Sequence, residues 1–329
     1  MSKIKTIAIV GAGRMGNAIA IAFAYAGQAV SVIDVKPRDD SQLENFKLQW
    51  QSNIQQEIQL LQQIEMINAE QAIKLQSKIK FLNKDRESYD WAHVDLLIEA
   101  VPEVKATKAE LFQWLDPLIR PDCIVASTTS TFLVTEVAEL ISQPERVINA
   151  HWLNPAYLMP LVELSRSEVT SDAVVDQVKS LFSQMGKVPI VCNAVAGYVV
   201  PRIQALAMNE AARMIEENVA SAEDIDMAIR TGFGLRFSIL GMLEFIDWGG
   251  GDILYHASDY LKKTLGERYE APNIIQENMR NNQNGLRELQ GFYDYRNRDV
   301  HAYKLSVIQQ FARQIKFNQL APNCDSLGP

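Results

Sequence analysis

Residues 7–34 read IAIVGAGRMGNAIAIAFAYAGQAVSVID, and this stretch decides how the rest of the chain is interpreted. It begins with four apolar residues, Ile7–Val10, which predict a strand buried on both faces. The strand runs directly into a glycine-rich turn, Gly11–Gly16, and Asn17–Ala26 then predicts a helix. A second strand is expected over Ala29–Ile33. The stretch therefore predicts a strand, a tight turn, a helix and a strand in succession.

The glycine spacing in the turn is typical of a site for the pyrophosphate of a dinucleotide. Gly11 permits the turn, Gly13 lets the backbone approach the phosphates, and Gly16 allows the helix to pack closely on the strand. The phosphates would lie at the helix N-terminus, and we expect Met15 in the turn to contact the cofactor. Asp34 ends the second strand, where its carboxylate can accept hydrogen bonds from a ribose 2′-hydroxyl and would repel a phosphate. NAD is therefore favoured over NADP.

Other interpretations of this stretch are weaker. A glycine-rich turn in another doubly wound protein is the alternative, but the strand, the helix and the acid all stand at the expected spacing. Lys36 and Arg38 follow Asp34 closely and could soften the preference for NAD. Arg14 argues against a membrane or signal segment over the apolar run Ile19–Ala26, since a spanning helix needs about 20 apolar residues.

Length and composition limit the classes of protein that fit. A chain of 329 residues exceeds one ordinary hydrophobic core, so two domains are expected. The net charge of −8 argues against nucleic acid and against an anionic membrane surface as partners. Cys123, Cys192 and Cys324 are widely spaced without a CxxC pair, so neither a disulfide framework nor a metal site is predicted. A reducing cytoplasm fits this cysteine usage best.

The first half of the chain alternates strands and helices. Residues 40–78 carry helical periodicity and predict a helical hairpin inserted after the second strand. Further strands are expected over Ile79–Leu82, Val94–Ala100, Cys123–Ser127, Val147–Ala150 and Val188–Cys192, with helices over Lys105–Leu118 and Thr135–Ile141. Repeated strand–helix–strand order predicts an α/β fold with a doubly wound parallel sheet.

The second half has a helical pattern. Helices are expected over Tyr198–Asn218, Ala222–Gly232, Gly241–Asp247, Asp252–Leu265 and Tyr295–Phe317, with proline and glycine mostly between them. The change of pattern predicts a domain boundary near 190. Residues 1–190 would form the dinucleotide-binding α/β domain, and residues 191–329 an all-helical domain.

One histidine stands out from the other three. His151 follows a predicted strand, and Glu163 lies twelve residues later, beyond the turn-forming pair Asn154-Pro155 and the strand-like Leu161-Val162. This layout can fold the carboxylate back onto the imidazole. For the histidines at positions 93, 256 and 301 a structural role is expected.

Five motifs in this order and spacing resemble the L-3-hydroxyacyl-CoA dehydrogenase family, which also contains carnitine dehydrogenases and the L-gulonate dehydrogenase/lambda-crystallin branch. They are GAGRMG at 11–16, EAVPE at 99–103, STTST at 127–131, HWLNP at 151–155 and LVE at 161–163. The resemblance covers nearly the whole chain, and GFGLRF at 232–237 is similar to the short-substrate branches. It implies a Rossmann-type domain followed by a helical domain that binds substrate and forms a homodimer.

The resemblance also implies the roles of site residues. His151 would be the general base that takes the hydroxyl proton of the substrate while hydride leaves the same carbon for the nicotinamide. Glu163 would accept the other ring N–H and fix the tautomer. Ser130, the second serine of its run, would hydrogen-bond the substrate oxygen.

Three further residues acquire cofactor roles from the resemblance. Glu103 and Asn154 would lie near the nicotinamide ribose, and Lys108 would reach toward the cofactor from the following helix.

The chain departs from the family pattern in two places. A segment like GFxxNR usually supplies an asparagine to the substrate, and here Pro201 takes that position, with Arg202 as a replacement donor. The hairpin usually carries lysines that meet the CoA phosphates, whereas residues 41–73 contain only Lys47, with three more lysines at 74–80.

Three functions are therefore open. The leading one is NAD-dependent oxidation of a short L-3-hydroxyacyl-CoA, such as 3-hydroxybutyryl-CoA, in fatty acid metabolism. The second keeps the chemistry on a CoA-free substrate, carnitine or L-gulonate. The third is a non-catalytic NAD-binding structural protein, which the presence of His151, Glu163 and Ser130 disfavours.

Overall fold

Within residues 4–321, which the computed structural model describes, eight strands form one sheet. The strands are β1 Ile7–Val10, β2 Val30–Asp34, β3 Ile79–Asn83, β4 Leu96–Glu99, β5 Ile124–Ser127, β6 Val147–Trp152, β7 Leu161–Arg166 and β8 Val188–Asn193. Their order is β3-β2-β1-β4-β5-β6-β7-β8, and every neighbouring pair is parallel except β6 and β7. The predicted Rossmann-type sheet is confirmed, and its crevice lies where the order reverses, at the carboxyl ends of β1 and β4.

The antiparallel pair differs in detail from the sequence prediction. The strand predicted to stop at Ala150 continues to Trp152, so His151 lies inside β6 and not beyond its end. The short connection 153–160 explains the direction of β7, because a parallel crossover needs a dozen or more residues. Ladder pairing with β7 then extends β6 past Ala150.

Helices cover both faces of the sheet and contribute to two hydrophobic clusters. They are α1 Arg14–Tyr25, α2 Asp40–Gln63, α3 Ala69–Gln76, α4 Lys105–Leu115, α5 Val134–Ala138 and α6 Asp172–Gln184. The predicted hairpin is α2 and α3, which begin with capping boxes at Asp39 and Asn68. Trp50 Nε1 donates to Asn17 Oδ1 at 2.7 Å, which fastens α2 onto α1.

The remaining elements are helical, and internal contacts divide the chain between Ala207 and Met208. We call the two parts the sheet unit (residues 4–207) and the helical unit (residues 208–321). Helix α7 Val200–Glu216 runs across the division, so the domain boundary near 190 stays a prediction. The helices that follow are α8 Ala222–Ala228, α9 Gly234–Phe237, α10 Met242–Gly249, α11 Gly251–Leu265, α12 Asn273–Arg280 and α13 Val300–Phe317.

Two helices of the helical unit were not predicted from the sequence, α9 and α12, because four and eight residues are too few to show a clear period. Helix α13 begins at Val300 and not at Tyr295, because the Asp299 side chain caps it by accepting from the Ala302 N–H at 3.0 Å. None of the described helices is both long and apolar enough to cross a membrane. Cys123 is buried and Cys192 is half-buried, while Cys324 lies outside the described residues.

Candidate active site

The predicted pair of His151 and Glu163 is in contact. The two residues are direct cross-strand partners in the β6–β7 ladder, so their side chains share one face of the sheet. His151 Nδ1 lies 2.8 Å from Glu163 Oε2, and the two residues are 6% and 0% exposed. With Nδ1–H donated to the carboxylate, Nε2 is the nitrogen that can accept a proton.

The second oxygen of Glu163 is held by the backbone. Oε1 accepts from the N–H groups of Val199 and Val200, both at 2.9 Å, at the start of α7. Helix N-terminal N–H groups stabilise a buried carboxylate, and here they also fix the direction of the oxygen that faces His151. Sequence reasoning did not find this contact, because nothing local links residue 163 to residues 199–200.

Tyr198 is a further residue of the site that the sequence analysis missed. Its ring stacks on the imidazole of His151, with centroids 4.7 Å apart and planes inclined by 16°. Its hydroxyl donates to the carbonyl of Thr129 at 2.7 Å and accepts from Asn149 Nδ2 at 3.2 Å.

The glycine turn has room for a pyrophosphate. Gly11 has φ 115°, and a Cβ there would lie 2.4 Å from the carbonyl oxygen of Ala100. A Cβ on Gly16 would lie 1.9 Å from the carbonyl oxygen of Gly11, so any side chain at this position would clash with the turn. The space beside Gly13 is open to 4 Å. The turn therefore fits the phosphates of a dinucleotide at the N-terminus of α1.

A cleft of about 510 Å³ extends along this turn, and we call it the dinucleotide cleft. Most of the predicted site residues line it, namely Gly11, Gly13, Met15, Asp34, Glu103 and Ser130. The Ser130 N–H donates to Glu103 Oε1 at 2.6 Å, and the Thr129 hydroxyl donates to Glu103 Oε2 at 2.8 Å. Glu103 therefore holds the turn that carries Ser130.

Asp34 lies at the carboxyl end of β2 and is 4% exposed. Its Oδ2 accepts from Arg38 Nε at 2.8 Å and from Asn83 Nδ2 at 3.4 Å. The Arg38 guanidinium also lies 3.7 Å from the centroid of the Phe46 ring. From the sequence, Arg38 is expected only to soften the preference for NAD through its positive charge. In the structure it also donates a hydrogen bond to Asp34, and both residues line the same cleft.

Lys108 is placed differently from the cofactor role expected for it. Its side chain is 2% exposed, and its Nζ lies 2.8 Å from each carboxylate oxygen of Glu99 and 3.8 Å from Glu103 Oε2. These carboxylates satisfy the charge inside the protein, so Lys108 supports Glu103 from beneath the cleft surface.

Asn154 lines a second cleft of about 540 Å³, between the hairpin helix α2 and the connection after β6. Amide side chains dominate its polar lining, namely Asn17, Gln49, Asn53, Gln56 and Asn154. Its charged lining residues are Arg14 and Glu57, and the Tyr157 hydroxyl donates to the Glu57 carboxylate. The single lysine of residues 41–73, Lys47, does not line this cleft.

Comparison with known proteins agrees with this geometry. The family model "3-hydroxyacyl-CoA dehydrogenase, NAD binding domain" matches residues 6–195, and the model of the C-terminal domain of the same family matches residues 197–295. The chain is 31% identical to a probable 3-hydroxybutyryl-CoA dehydrogenase of Bacillus subtilis, over 89% of this chain and 98% of that protein.

Two further similarities bear on function. A 5-formyl-3-hydroxy-2-methylpyridine 4-carboxylate 5-dehydrogenase of Mesorhizobium japonicum is 29% identical over 89% of this chain and 91% of that protein. The crystal structure of a 3-hydroxyacyl-CoA dehydrogenase from Archaeoglobus fulgidus has a TM-score of 0.75 and 30% identity, covering 96% of this chain and all of that one. Together with the glycine turn and the dinucleotide cleft along it, these matches show that the chain is an NAD-dependent oxidoreductase and belongs to the 3-hydroxyacyl-CoA dehydrogenase family.

Proposed function

We propose that this enzyme oxidises the hydroxyl of a short L-3-hydroxyacyl substrate to the 3-oxo product. The pairing of His151 with Glu163 is the observation on which the proposal depends, because it leaves Nε2 free to act as a base. The imidazole stacks on Tyr198, whose hydroxyl donates to the carbonyl of Thr129, and the next residue, Ser130, lines the dinucleotide cleft. Nε2 takes the hydroxyl proton as the C–H bond breaks and the carbonyl forms. Bound NAD supplies the acceptor for the hydride.

The other site residues support this step in the proposal. Glu163 keeps the proton on Nδ1 and stabilises the imidazolium as it forms. The Ser130 hydroxyl holds the substrate oxygen, and Glu103 and Asn154 lie near the nicotinamide ribose. Glu103 reaches its place through contacts with the Ser130 N–H and with buried Lys108.

A CoA thioester is the first candidate substrate, because relatives that match most of this chain are 3-hydroxybutyryl-CoA dehydrogenases. The second candidate class is a substrate without CoA, such as carnitine or L-gulonate. The second cleft favours it, since one arginine among amides and a glutamate offers little charge to the phosphates of CoA. The relative from Mesorhizobium japonicum is likewise named for a pyridine carboxylate and not for a thioester.

A substrate panel separates these candidates. The purified chain is assayed with NAD and with 3-hydroxybutyryl-CoA, its N-acetylcysteamine thioester, L-carnitine and L-gulonate, following NADH absorbance. We expect the highest kcat/KM with 3-hydroxybutyryl-CoA. Equal kcat/KM for the two thioesters would show that the CoA moiety adds no binding energy, and turnover confined to carnitine or gulonate would establish the second class. NADH binding without turnover of any compound would indicate a non-catalytic protein.

The assignment of the base has its own test. His151→Ala removes the proton acceptor, so kcat should fall by about 10²–10⁴-fold, the usual contribution of a general base. The Kd of NADH, measured by fluorescence titration, should persist. Normal turnover by this variant would show that another group takes the proton.

We further propose that the chain forms a homodimer through the predicted helical domain, residues 191–329, which contains α7 and α13. None of the 17 residues of α7 is buried, and Leu206 and Met208 are 72% and 69% exposed. On α13, Ile308 and Phe317 are 55% and 83% exposed. Apolar exposure of this extent is typical of an interface, and sedimentation equilibrium should give twice the mass of the chain.

A further inference from the structure

The peptide bond between Thr129 and Ser130 is held at both of its polar groups. Its carbonyl accepts from the Tyr198 hydroxyl at 2.7 Å, and its N–H donates to Glu103 Oε1 at 2.6 Å. The two contacts come from opposite directions along the peptide, so its plane cannot turn without losing one of them. The direction in which Ser130 leaves this peptide is fixed by the same pair of contacts.

Tyr198 connects that peptide to the candidate base. Its side chain is buried, at 5% exposure, with its ring stacked on the His151 imidazole at 4.7 Å. Asn149, two residues before His151 on β6, donates from Nδ2 to the same hydroxyl at 3.2 Å. One side chain therefore touches the imidazole with its ring and the serine turn with its hydroxyl.

The backbone at Tyr198 has a positive φ, and this conformation directs the ring toward His151. Its φ is +46°, in the left-handed region that a large side chain rarely occupies. The next two residues, Val199 and Val200, donate their N–H groups to Glu163. The same turn thus places a ring against the imidazole and two donors on the carboxylate that orients it.

We propose that Tyr198 is a positioning residue that keeps the imidazole of His151 and the Ser130 turn at a fixed separation. Its ring face restrains the imidazole, and its hydroxyl restrains the Thr129–Ser130 peptide. The substrate oxygen would lie between these two groups, so an error in their separation lowers the reaction rate more than substrate affinity. This inference rests on the proposed function, in which His151 is the base and Ser130 contacts the substrate.

Two substitutions separate the two parts of Tyr198. Tyr198→Phe keeps the ring and removes the hydroxyl, and should lower kcat by about fivefold. Tyr198→Leu also removes the ring, and should lower kcat by about 50-fold, within the range observed for small misplacements of reacting groups. KM and the Kd of NADH should change by less than about twofold in both variants, because neither part of the side chain is assigned to substrate or cofactor binding.

Double-mutant cycles then distinguish positioning from a general loss of stability. In the Ser130→Ala background, Tyr198→Phe should cause no further loss of kcat. In the His151→Ala background, Tyr198→Leu should lose no more than Tyr198→Phe loses there, because only the contact of the hydroxyl with the Ser130 turn is left to remove. A merely structural tyrosine would cause the same loss in every background. Tyr89 provides the matched control, since it is also in the sheet unit and its ring packs edge-on against Trp91 at 4.8 Å. Tyr89→Phe and Tyr89→Leu should leave kcat unchanged.

The outcomes are separable. If His151→Ala turns over as fast as the unmodified enzyme, the proposed function is wrong and the inference falls with it. A second outcome is that His151→Ala has a lowered kcat, but Tyr198→Phe lowers kcat by the same factor in the wild-type and Ser130→Ala backgrounds. In that case the proposed function stands and the inference about Tyr198 is wrong. Thermal unfolding identifies a Tyr198→Leu protein that does not fold, and the Tyr198→Phe cycle then decides the question.

Discussion

Two buried carboxylates, one in each unit, are held by the same local chemistry. Glu163 in the sheet unit is fully buried and accepts from the consecutive N–H groups of Val199 and Val200. Asp247 in the helical unit is 2% exposed and accepts from the consecutive N–H groups of Phe292 and Tyr293, at 2.9 and 2.8 Å. In each case two adjacent backbone donors compensate a charge that would otherwise be costly to bury.

The two carboxylates differ in their third partner. Glu163 meets the imidazole of His151, whose Nε2 takes the substrate proton in the proposed reaction. Asp247 meets the hydroxyl of Tyr295 at 3.2 Å, and burial, together with the nearby charge of Asp247, raises the pKa of that hydroxyl well above its ordinary value. The chemistry of the third partner, and not the burial of the carboxylate, thus separates a candidate catalytic pair from a structural one.

The surroundings of Asp247 agree with a structural role. A Cβ on Gly291 would lie 2.1 Å from Asp247 Oδ1, and a Cβ on Gly285 would lie 2.2 Å from the Asp247 carbonyl oxygen. That carbonyl also accepts from the Leu286 N–H at 2.9 Å. The connection between α12 and α13 is therefore built closely around Asp247 and holds it in place.

Among the substitutions that test this comparison, the largest effect should follow from Glu163→Gln, in the candidate catalytic pair. The amide is nearly isosteric, but it must present its NH₂ either to His151 or to the two backbone donors. An NH₂ facing His151 opposes Nδ1–H, so the tautomer with a free Nε2 is no longer favoured. An NH₂ facing the two backbone N–H groups opposes both donors and displaces the side chain that orients the imidazole. We expect kcat to fall by about 10²-fold or more, with the Kd of NADH unchanged. Retention of kcat would remove Glu163 from the proposed mechanism.

The matching change in the helical unit, Asp247→Asn, should act on stability. The amide again sets a donor against one of the two N–H groups, and leaving a buried donor unsatisfied costs about 1–3 kcal/mol. Chemical denaturation should show this loss in the free energy of unfolding, while kcat well below the transition stays unchanged.

Asp259→Asn is the control for that measurement, because Asp259 is 56% exposed and its ion pair with Lys263, across one helical turn, is at the surface. Its stability should change little. If Asp247→Asn lowered kcat without lowering stability, the distinction between the two carboxylates would be lost.

The comparison also shows how far the sequence can predict such sites. The glycine turn and the pairing of His151 with Glu163 were predictable, because both depend on residues close together in the chain and on a period of two. The role of Tyr198 was not predictable, since its partners lie on β6 and after β5, far from it in the chain. No local sequence pattern indicates that the turn before α7 packs against those residues. The two backbone hydrogen bonds to Asp247 likewise come from residues 45 and 46 positions later in the chain. Lys108 was placed on the right helix, but the sequence does not fix which carboxylate it would meet.

The smallest effect in this comparison should come from Asp34. It is a third buried carboxylate, intermediate between the candidate catalytic Glu163 and the structural Asp247. Its strongest partner is the side chain of Arg38 at 2.8 Å, and its backbone contact, the Lys36 N–H at 3.4 Å, is weak. Such a carboxylate keeps acceptor capacity for a ligand, as expected for a group that binds a ribose hydroxyl. Asp34→Asn should weaken NADH binding by about 10-fold, the value of one hydrogen bond to a charged acceptor.

The same substitution should narrow the preference for NADH over NADPH, because it removes the repulsion of a 2′-phosphate and releases the Arg38 guanidinium to meet one. Fluorescence titration with both dinucleotides measures the ratio of the two Kd values. Asp40→Asn is the control, since Asp40 is 88% exposed and pairs with Arg86. An unchanged ratio in Asp34→Asn would mean that Asp34 resembles Asp247, a carboxylate whose partners are all inside the protein, and that cofactor preference is set by another part of the cleft.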